Sequence, residues 1–270
     1  MDHFNSKIEE QYNRKHLFEN IIALLKEQGT TVTTRKDIAG IDEFHIRGAV
    51  VSVELAKEVG FDTNTRVLDI GCGLGGPCRM LADEFGCMAT GIDLTHEFIR
   101  TAQLLSERVN LQDRTTFMQA DALQLPFDNE SFDAAWTQHV QMNIENKNRF
   151  YSEIKRVLTK EGRFIYYDIF TTKNEPLIYP VPWASKSSLN FLITTSALHQ
   201  LLLDLGFTRV QTKDHSQEAI NFFTELLPRL KSGPKTGMHL VIGDTVVEKL
   251  GNLLENIKEG RLEIQSGVYC

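Results

Sequence analysis

Residues 67–76 read VLDIGCGLGG, an apolar run that enters four glycines, Gly71, Gly73, Gly75 and Gly76. Such a run is a short buried strand, and glycines at its end let the backbone turn tightly and approach a ligand without a Cβ in the way. GPCRMLADEFG (76–86) then reads as a helix with a glycine stop. The same rhythm returns downstream. CMATGID (87–93), TTFMQAD (115–121), SFDAAWT (131–137) and RFIYYDIF (163–170) read as strands, and HEFIRTAQLLSERVN (96–110) and NRFYSEIKRVLTKEG (148–162) as helices. Strands separated by helices of this length require right-handed crossovers, which lay the strands parallel. The expected fold is α/β, with a doubly wound, mostly parallel sheet.

The flanks are more helical. Ile8, Tyr12, Phe18, Ile21, Ile22 and Leu25 recur at helical spacing, and IRGAVVSVELAKEVG (46–60) is a second helix stopped by Gly60. Residues 1–60 are therefore expected to form a helical lead-in or lid ahead of a main domain over 61–270. NFLITTSALHQLLLDLGF (190–207) reads as helix into turn, and FTRVQTKD (207–214) and RLEIQSGVYC (261–270) as the sixth and seventh strands. Two segments are expected as substrate-side insertions, about 173–195 and 215–260. The first holds three of the seven prolines and one of the two tryptophans, too irregular for a simple connector. The second is mostly amphipathic helix, interrupted by KSGPKTG.

Composition narrows the partners. A chain of 270 residues with 41% hydrophobic and 24% charged residues can bury a real core. Its formal net charge of −7 offers no footprint for a phosphate backbone, so a small molecule is expected and nucleic acid is not. No apolar run is long enough for a membrane span, and the start MDHFNSKIEEQYNRKH is polar, so a cytoplasmic location is expected. The four cysteines show no C-x-x-C and there is no paired-histidine spacing, so reduced thiols and no metal site are expected. Monomer and homodimer both remain open.

A ligand of an open α/β sheet binds beyond the carboxyl ends of the strands, where the strand order reverses. Gly71, Gly73 and Gly76 fit the G-x-G-x-x-G dinucleotide loop, and Asp69 to Gly75 equally fit the D-x-G-x-G-x-G loop that holds S-adenosylmethionine. Asp93, ending the second strand, suits the ribose hydroxyls of either cofactor. Asp69 discriminates. It stands where a pyrophosphate would lie near the helix N-terminus, and would repel it. S-adenosylmethionine carries an ammonium and a sulfonium, which a carboxylate attracts. Asp121 is placed to pair an adenine amino group, with Leu94, Ala122 and Leu123 as apolar walls for the ring. Gly71, Cys72 and Gly73 supply the loop, and Gln138 is a further cofactor contact.

VLDIGCGLGG, TGIDL, QADALQLPF, SFDAAWTQHV and RVLTKEGRFIYYD together resemble the successive motifs of the class I S-adenosylmethionine-dependent methyltransferases, over roughly residues 60–212. That resemblance implies a Rossmann-like, seven-stranded sheet with an antiparallel last strand, and S-adenosylhomocysteine as product. DEFHIRG, TQHVQMNI, YPVPWA and NIKEGRLEIQSGVY are similar, more narrowly, to the sarcosine/dimethylglycine N-methyltransferases that build glycine betaine. Relatives acting on phosphoethanolamine, tocopherols, quinones and sugars share the same outline.

Methyl transfer from a sulfonium is an in-line displacement, so the site must align acceptor and methyl group and exclude water. An amine acceptor of pKa about 8 to 10.4 is mostly protonated at neutral pH and must lose a proton. His139, after the fourth strand, is the candidate base. Met142 and Asn143 are candidates to line the acceptor pocket, and Trp183 with Tyr179 or Tyr167 to form an aromatic cage for a methylated ammonium. Arg47 is the nearest fork for an acceptor carboxylate, and His45 and Arg47 could instead close over the cofactor or face solvent. A small amine, such as sarcosine or dimethylglycine, is the leading expectation. The alternative is a quinone, lipid or natural-product oxygen or carbon acceptor, signalled by a long apolar groove in place of a small cage with an arginine. A non-catalytic cofactor-binding module and a dinucleotide oxidoreductase are further alternatives.

Overall fold

The alternation in RFIYYDIF sets the two faces of the sheet. Phe164, Tyr166 and Phe170 pack into one core cluster, and Ile165, Tyr167 and Ile169 into the other. Successive side chains of a strand point to opposite faces, so a strand apolar at nearly every position must be covered on both. The computed structural model describes residues 15–172, 175–233 and 236–270. Ile8 and Tyr12 of the expected lead-in, Lys173 and Asn174 of the first insertion, and Pro234 and Lys235 of the second lie outside the described residues.

Seven strands form one sheet: β1 (Arg66–Ile70), β2 (Met88–Asp93), β3 (Thr115–Gln119), β4 (Phe132–Gln138), β5 (Leu158–Thr171), β6 (Arg209–Asp214) and β7 (Leu262–Tyr269). Their order is β3-β2-β1-β4-β5-β7-β6. The first five run parallel, and β7 lies between β5 and β6, antiparallel to both. This is the doubly wound, seven-stranded sheet read from the sequence. The chain winds outward from β1 through β2 to β3, then returns to the other side of β1 as β4, so the strand order reverses between β1 and β4.

Ten α-helices occur among the described residues: α1 (Leu17–Glu27), α2 (Ala39–Asp42), α3 (Ala49–Val59), α4 (Gly76–Phe85), α5 (His96–Arg108), α6 (Lys147–Val157), α7 (Thr195–Asp204), α8 (Ser216–Ser232), α9 (Gly237–Ile242) and α10 (Val246–Lys258). One boundary differs from the sequence reading. The helix expected over 148–162 stops at Val157, and Leu158 already pairs with Phe132 of β4. The next paired positions are Ala134 and Arg163, so most of the TKEG stretch is extra length taken up in a bulge. Helix propensity over VLTKEG yields there to strand pairing.

α3, α8 and α10 cover one face, with Leu55, Phe223 and Leu253 in its core, and α6 and α7 cover the other through Ile154 and Leu202. A third cluster joins Leu17, Ile21 and Leu25 of α1 to Phe98 and Leu105 of α5 and Val241 of α9. The lead-in and the second insertion therefore meet over the carboxyl edge of the sheet.

Gly267 of β7 is the register partner of Tyr166. A Cβ there would lie 2.6 Å from Tyr166 Cζ, in a ring that is itself buried. Gly267→Ala is expected to lower unfolding stability by about 1–3 kcal/mol through overpacking. Chemical denaturation against the unchanged chain measures it.

Candidate active site

Beyond the carboxyl ends of β1, β2 and β4 lies a cavity of about 690 Å³. That is within the roughly 300–1,000 Å³ range of small-molecule sites. All ten residues expected at the cofactor line it: Asp69, Gly71, Cys72, Gly73, Asp93, Leu94, Asp121, Ala122, Leu123 and Gln138. His45, His139, Met142, Asn143 and Trp183 line it too.

The glycine loop is shaped by two constraints. Gly71 has φ of 76°, and a Cβ there would meet Val140 Cγ2 at 2.6 Å, so only glycine allows β1 and the segment after β4 to pass this closely. The amides of Gly71 and Cys72 both donate to Ile92 O, at 2.8 and 2.9 Å. Asp93 holds the loop from the other side. Its Oδ2 accepts the Gly73 amide at 3.1 Å and its Oδ1 the Thr95 amide at 2.8 Å. Asp121 makes an Asx-type bond, accepting the Leu123 amide at 2.8 Å. The local capping and turn roles that short polar residues favour are thus real here, and coexist with positions on the cavity wall.

Asp69 is buried at the end of β1 and accepts only a thiol hydrogen bond, from Cys78 Sγ at 3.4 Å. Burial pushes its carboxyl up to about 7, with the Asp93 charge adding to the rise. Burial raises Asp93 also, against the amides that stabilise its charge. Cys72 and Cys78 are held as neutral thiols by burial and by the neighbouring carboxyls, which makes them poor nucleophiles.

The end of β4 is organised by a residue that sequence reasoning missed. Asp168, inside β5, accepts the amides of Val140 at 3.2 Å and Gln141 at 3.1 Å, and so pins the loop that carries His139. Gln141 Nε2 donates to Ile169 O at 2.5 Å, a second tie to β5. His139 has φ of 55°, its amide donates to Tyr167 O at 2.9 Å, and its ring stacks on Tyr167 with centroids 5.4 Å apart. Its Nε2 is buried without a hydrogen-bond partner, and burial holds the imidazole neutral, well below its usual range. An acid in the middle of an apolar strand, one residue past YY, was the available signal for Asp168.

The lead-in adds a wall. Asp42, Phe44, His45 and Ile46 line the cavity, and Phe44 lies against Gly73, where a Cβ would be 3.1 Å from its ring. Asp42 is held by Arg79 of α4 at 2.7 Å, a fully buried ion pair. Ser52 of α3, also missed, joins His45 at 3.0 Å to Gln138, whose Oε1 accepts the Trp136 indole at 2.9 Å. The remaining wall is apolar. Ile144, Ile169, Phe222, Phe223, Met238, Val241, Ile242, Leu250 and Leu253 face the cavity together with Trp183. The helices that carry Phe222 to Leu253 lie more than 100 residues from the glycine loop in sequence, and nothing local marks these residues as cavity residues.

Two expectations are corrected. Arg47 does not line the cavity; it has φ of 66° and its Nη2 bonds Glu54 at 2.8 Å. The turn through Gly48 directs it toward α3. Tyr179 packs at the margin of the apolar core and does not reach the cavity either. Tyr167 is fully buried beneath His139 and His45 and is not part of the lining. Of the three aromatics expected to form a cage, Trp183 alone lines the cavity, its indole anchored on Asn190 Oδ1 at 2.9 Å. The cavity is lined by the carboxyls of Asp42, Asp69, Asp93, Asp121 and Glu145, and by no described lysine or arginine.

Residues 68–166 match the family model described as a methyltransferase domain. The sterol 24-C-methyltransferase of Gibberella zeae is 34% identical over 118 residues, 44% of this chain and 31% of that protein. The sarcosine/dimethylglycine N-methyltransferase of Aphanothece halophytica is 25% identical over 176 residues, 65% of this chain and 64% of that protein. The chain thus spans less than two thirds of the length of these curated relatives. The solved geranyl diphosphate C-methyltransferase from Streptomyces coelicolor A3(2) superposes with a TM-score of 0.73 at 14% identity, covering 99% of this chain and 97% of that one. It shares the fold. Residues 68–166 are thus similar to a methyltransferase domain, and the chain as a whole has the fold of a solved methyltransferase.

Asp168→Ala leaves the Val140 and Gln141 amides without their acceptor. The expected result is a loss of about 1–3 kcal/mol in unfolding stability, with a smaller loss for Asp168→Asn, which keeps one acceptor oxygen. Thermal and urea denaturation of both variants check the order.

Proposed function

We propose that the chain transfers the methyl group of S-adenosylmethionine to an acceptor with a bulky apolar body, at a carbon or oxygen atom. The observation that carries this reading is the cavity's composition: five carboxyls, no described cation, and many aliphatic and aromatic side chains. The carboxyls suit the ammonium and sulfonium of the cofactor, with Asp69 and Asp93 at the glycine loop and Asp121, Leu94 and Ala122 around the adenine. These residues bind and orient; the methyl donor supplies its own leaving group. The apolar side chains exclude water and position the acceptor in line with the methyl group.

A small amino-acid acceptor, sarcosine or dimethylglycine, is the second reading. It is favoured by the likeness to the sarcosine/dimethylglycine enzyme over 65% of this chain. It needs a cation for the acceptor carboxylate, and Arg47, bound to Glu54 outside the cavity, does not supply one. The sterol 24-C-methyltransferase among the similar proteins acts on an acceptor of the apolar kind by name.

Labelled S-adenosylmethionine with a sterol and a hydroquinone, set against sarcosine and dimethylglycine, tests the choice. Product is expected in the first group. Label transferred only to the amines would overturn the apolar reading and leave the methyltransferase reading standing.

A pH dependence follows from Asp69. Its folded value of about 7 lies above the usual 3.8, so the site gains negative charge as pH rises through 7. A cationic ligand is then held more tightly. Titration calorimetry with S-adenosylhomocysteine, whose ammonium remains charged, is expected to show affinity rising between pH 6 and 8 (roughly one unit either side of that value), and Asp69→Asn to flatten the rise. In the unliganded chain the sign is opposite. A raised carboxyl contributes stability that is fully present below about 3.8 and lost as pH rises through about 7.

A further inference from the structure

Transfer to an acceptor that carries a hydrogen on the attacked atom releases a proton inside the cavity. The cavity wall holds two histidines, His45 and His139, with ring centroids 6.2 Å apart. Their hydrogen bonds separate them.

His45 Nε2 lies 3.0 Å from Gly48 O. A backbone carbonyl can only accept, so Nε2 carries the hydrogen and donates it. Ser52 Oγ, at 3.0 Å from the same nitrogen, shares that hydrogen. The turn is closed from both ends, because the Gly48 amide donates to His45 O at 3.0 Å. Gly48 has φ of 51° and ψ of −144°, a conformation essentially reserved for glycine, so the FHIRG sequence builds this turn locally. With Nε2–H committed to Gly48 and Ser52, the neutral ring has its lone pair on Nδ1. Nδ1 makes no hydrogen bond among the described residues, and the ring is part of the cavity wall.

His139 is set differently. Among the described residues nothing fixes its tautomer: its Nε2 is buried with no hydrogen-bond partner there, and its ring lies flat against Tyr167.

We propose that His45 is the catalytic base of the transfer and that Nδ1 is the atom that takes the acceptor's proton. The inference rests on the methyl-transfer reading and names a further residue for it. As the acceptor atom bonds to the methyl carbon, the carbon–sulfur bond breaks with its electron pair going to sulfur. The hydrogen on the acceptor atom passes as a proton to Nδ1. The resulting imidazolium returns that proton to water when product leaves. Burial holds free His45 near 4, so the ring is neutral and available at neutral pH. It is a weak base, sufficient because an acceptor that has gained a methyl cation is itself a strong acid. The groups facing the ring are His139, Tyr167, whose centroid is 6.4 Å away, and Glu43, whose Oε2 is 3.9 Å from Nε2. Glu43 is pushed up to about 8 by burial and the Asp42 charge, so it is neutral beside neutral His45 and able to ionise beside the imidazolium.

His45→Gln keeps an N–H donor for Gly48 and Ser52 and removes the basic lone pair. With the best acceptor from the panel above, kcat is expected to fall about 10²–10⁴-fold, with KM and S-adenosylhomocysteine affinity unchanged and a smaller loss in His139→Gln. A His45→Gln kcat close to that of the unchanged enzyme, or a larger loss in His139→Gln, overturns the assignment. Nitrogen-15 NMR of histidine-labelled protein tests the geometry with no acceptor and no variant. His45 is expected as the Nε2–H tautomer with Nδ1 bare, and a proton on Nδ1 overturns the assignment as well. Failure of the reading beneath it has a different signature, in which the unchanged protein neither binds S-adenosylhomocysteine nor methylates any acceptor.

Discussion

The passage of Gly71 against Val140 decides where the sheet opens. β1 and β4 are hydrogen-bonded neighbours up to Asp69 and Trp136, and beyond that point the chain ends must turn away from each other. A Cβ at Gly71 would strike Val140, so the bare backbone sets how closely the two turns pack. Asp93 and Asp168 then fix the turns from either side, one by accepting the Gly73 amide, the other by accepting the Val140 and Gln141 amides. Each carboxylate replaces backbone hydrogen bonds that the turns forgo. The cavity exists because these amides are satisfied by side chains and not by a continuing strand.

The carboxyls of the lining give the cavity its electrostatic character. Asp69 is raised to about 7 by burial, and Asp42 is raised despite Arg79. Acids gathered in a poorly solvated place favour a cation as their counter-charge, and no described lysine or arginine reaches the lining. Arg79, paired with the lining residue Asp42, is consumed by that carboxyl, Leu74 O and Ala102 O. The apolar residues of α8, α9 and α10 complete the enclosure, so one space offers both carboxyls and apolar surface.

How far the site was legible depended on the distance over which each residue acts. The glycines, Asp69, Asp93 and Asp121 could be placed because each sits at a strand end, and strand ends of a doubly wound sheet converge whatever the loops do. His45 was recognisable as a candidate but not in its role, since the tautomer depends on a carbonyl three residues on and a serine one turn into α3. Arg47 read as a carboxylate fork by proximity in FHIRG, and the positive φ at that turn sends it to Glu54 instead. Phe222, Phe223 and Leu253 were invisible as cavity residues because an amphipathic helix buries its apolar stripe in either a core or a pocket, with the same periodicity. The stop of α6 at Val157 was hidden for a related reason: VLTKEG has no local strand signal, and its pairing partner Phe132 lies 26 residues upstream of Leu158.

The amino-acid sequence by itself determined the α/β sheet, its winding and the cofactor end of the cavity, because alternation, glycine turns and acids at strand ends are local patterns with one geometric outcome. Tertiary structure alone decided what surrounds the acceptor. The placement of α8, α9 and α10 over the sheet, the loss of Arg47 from the site and the hydrogen bond that orients His45 all depend on side chains far apart in sequence. Their packing energies are summed over the whole fold and leave no periodic trace in any one segment.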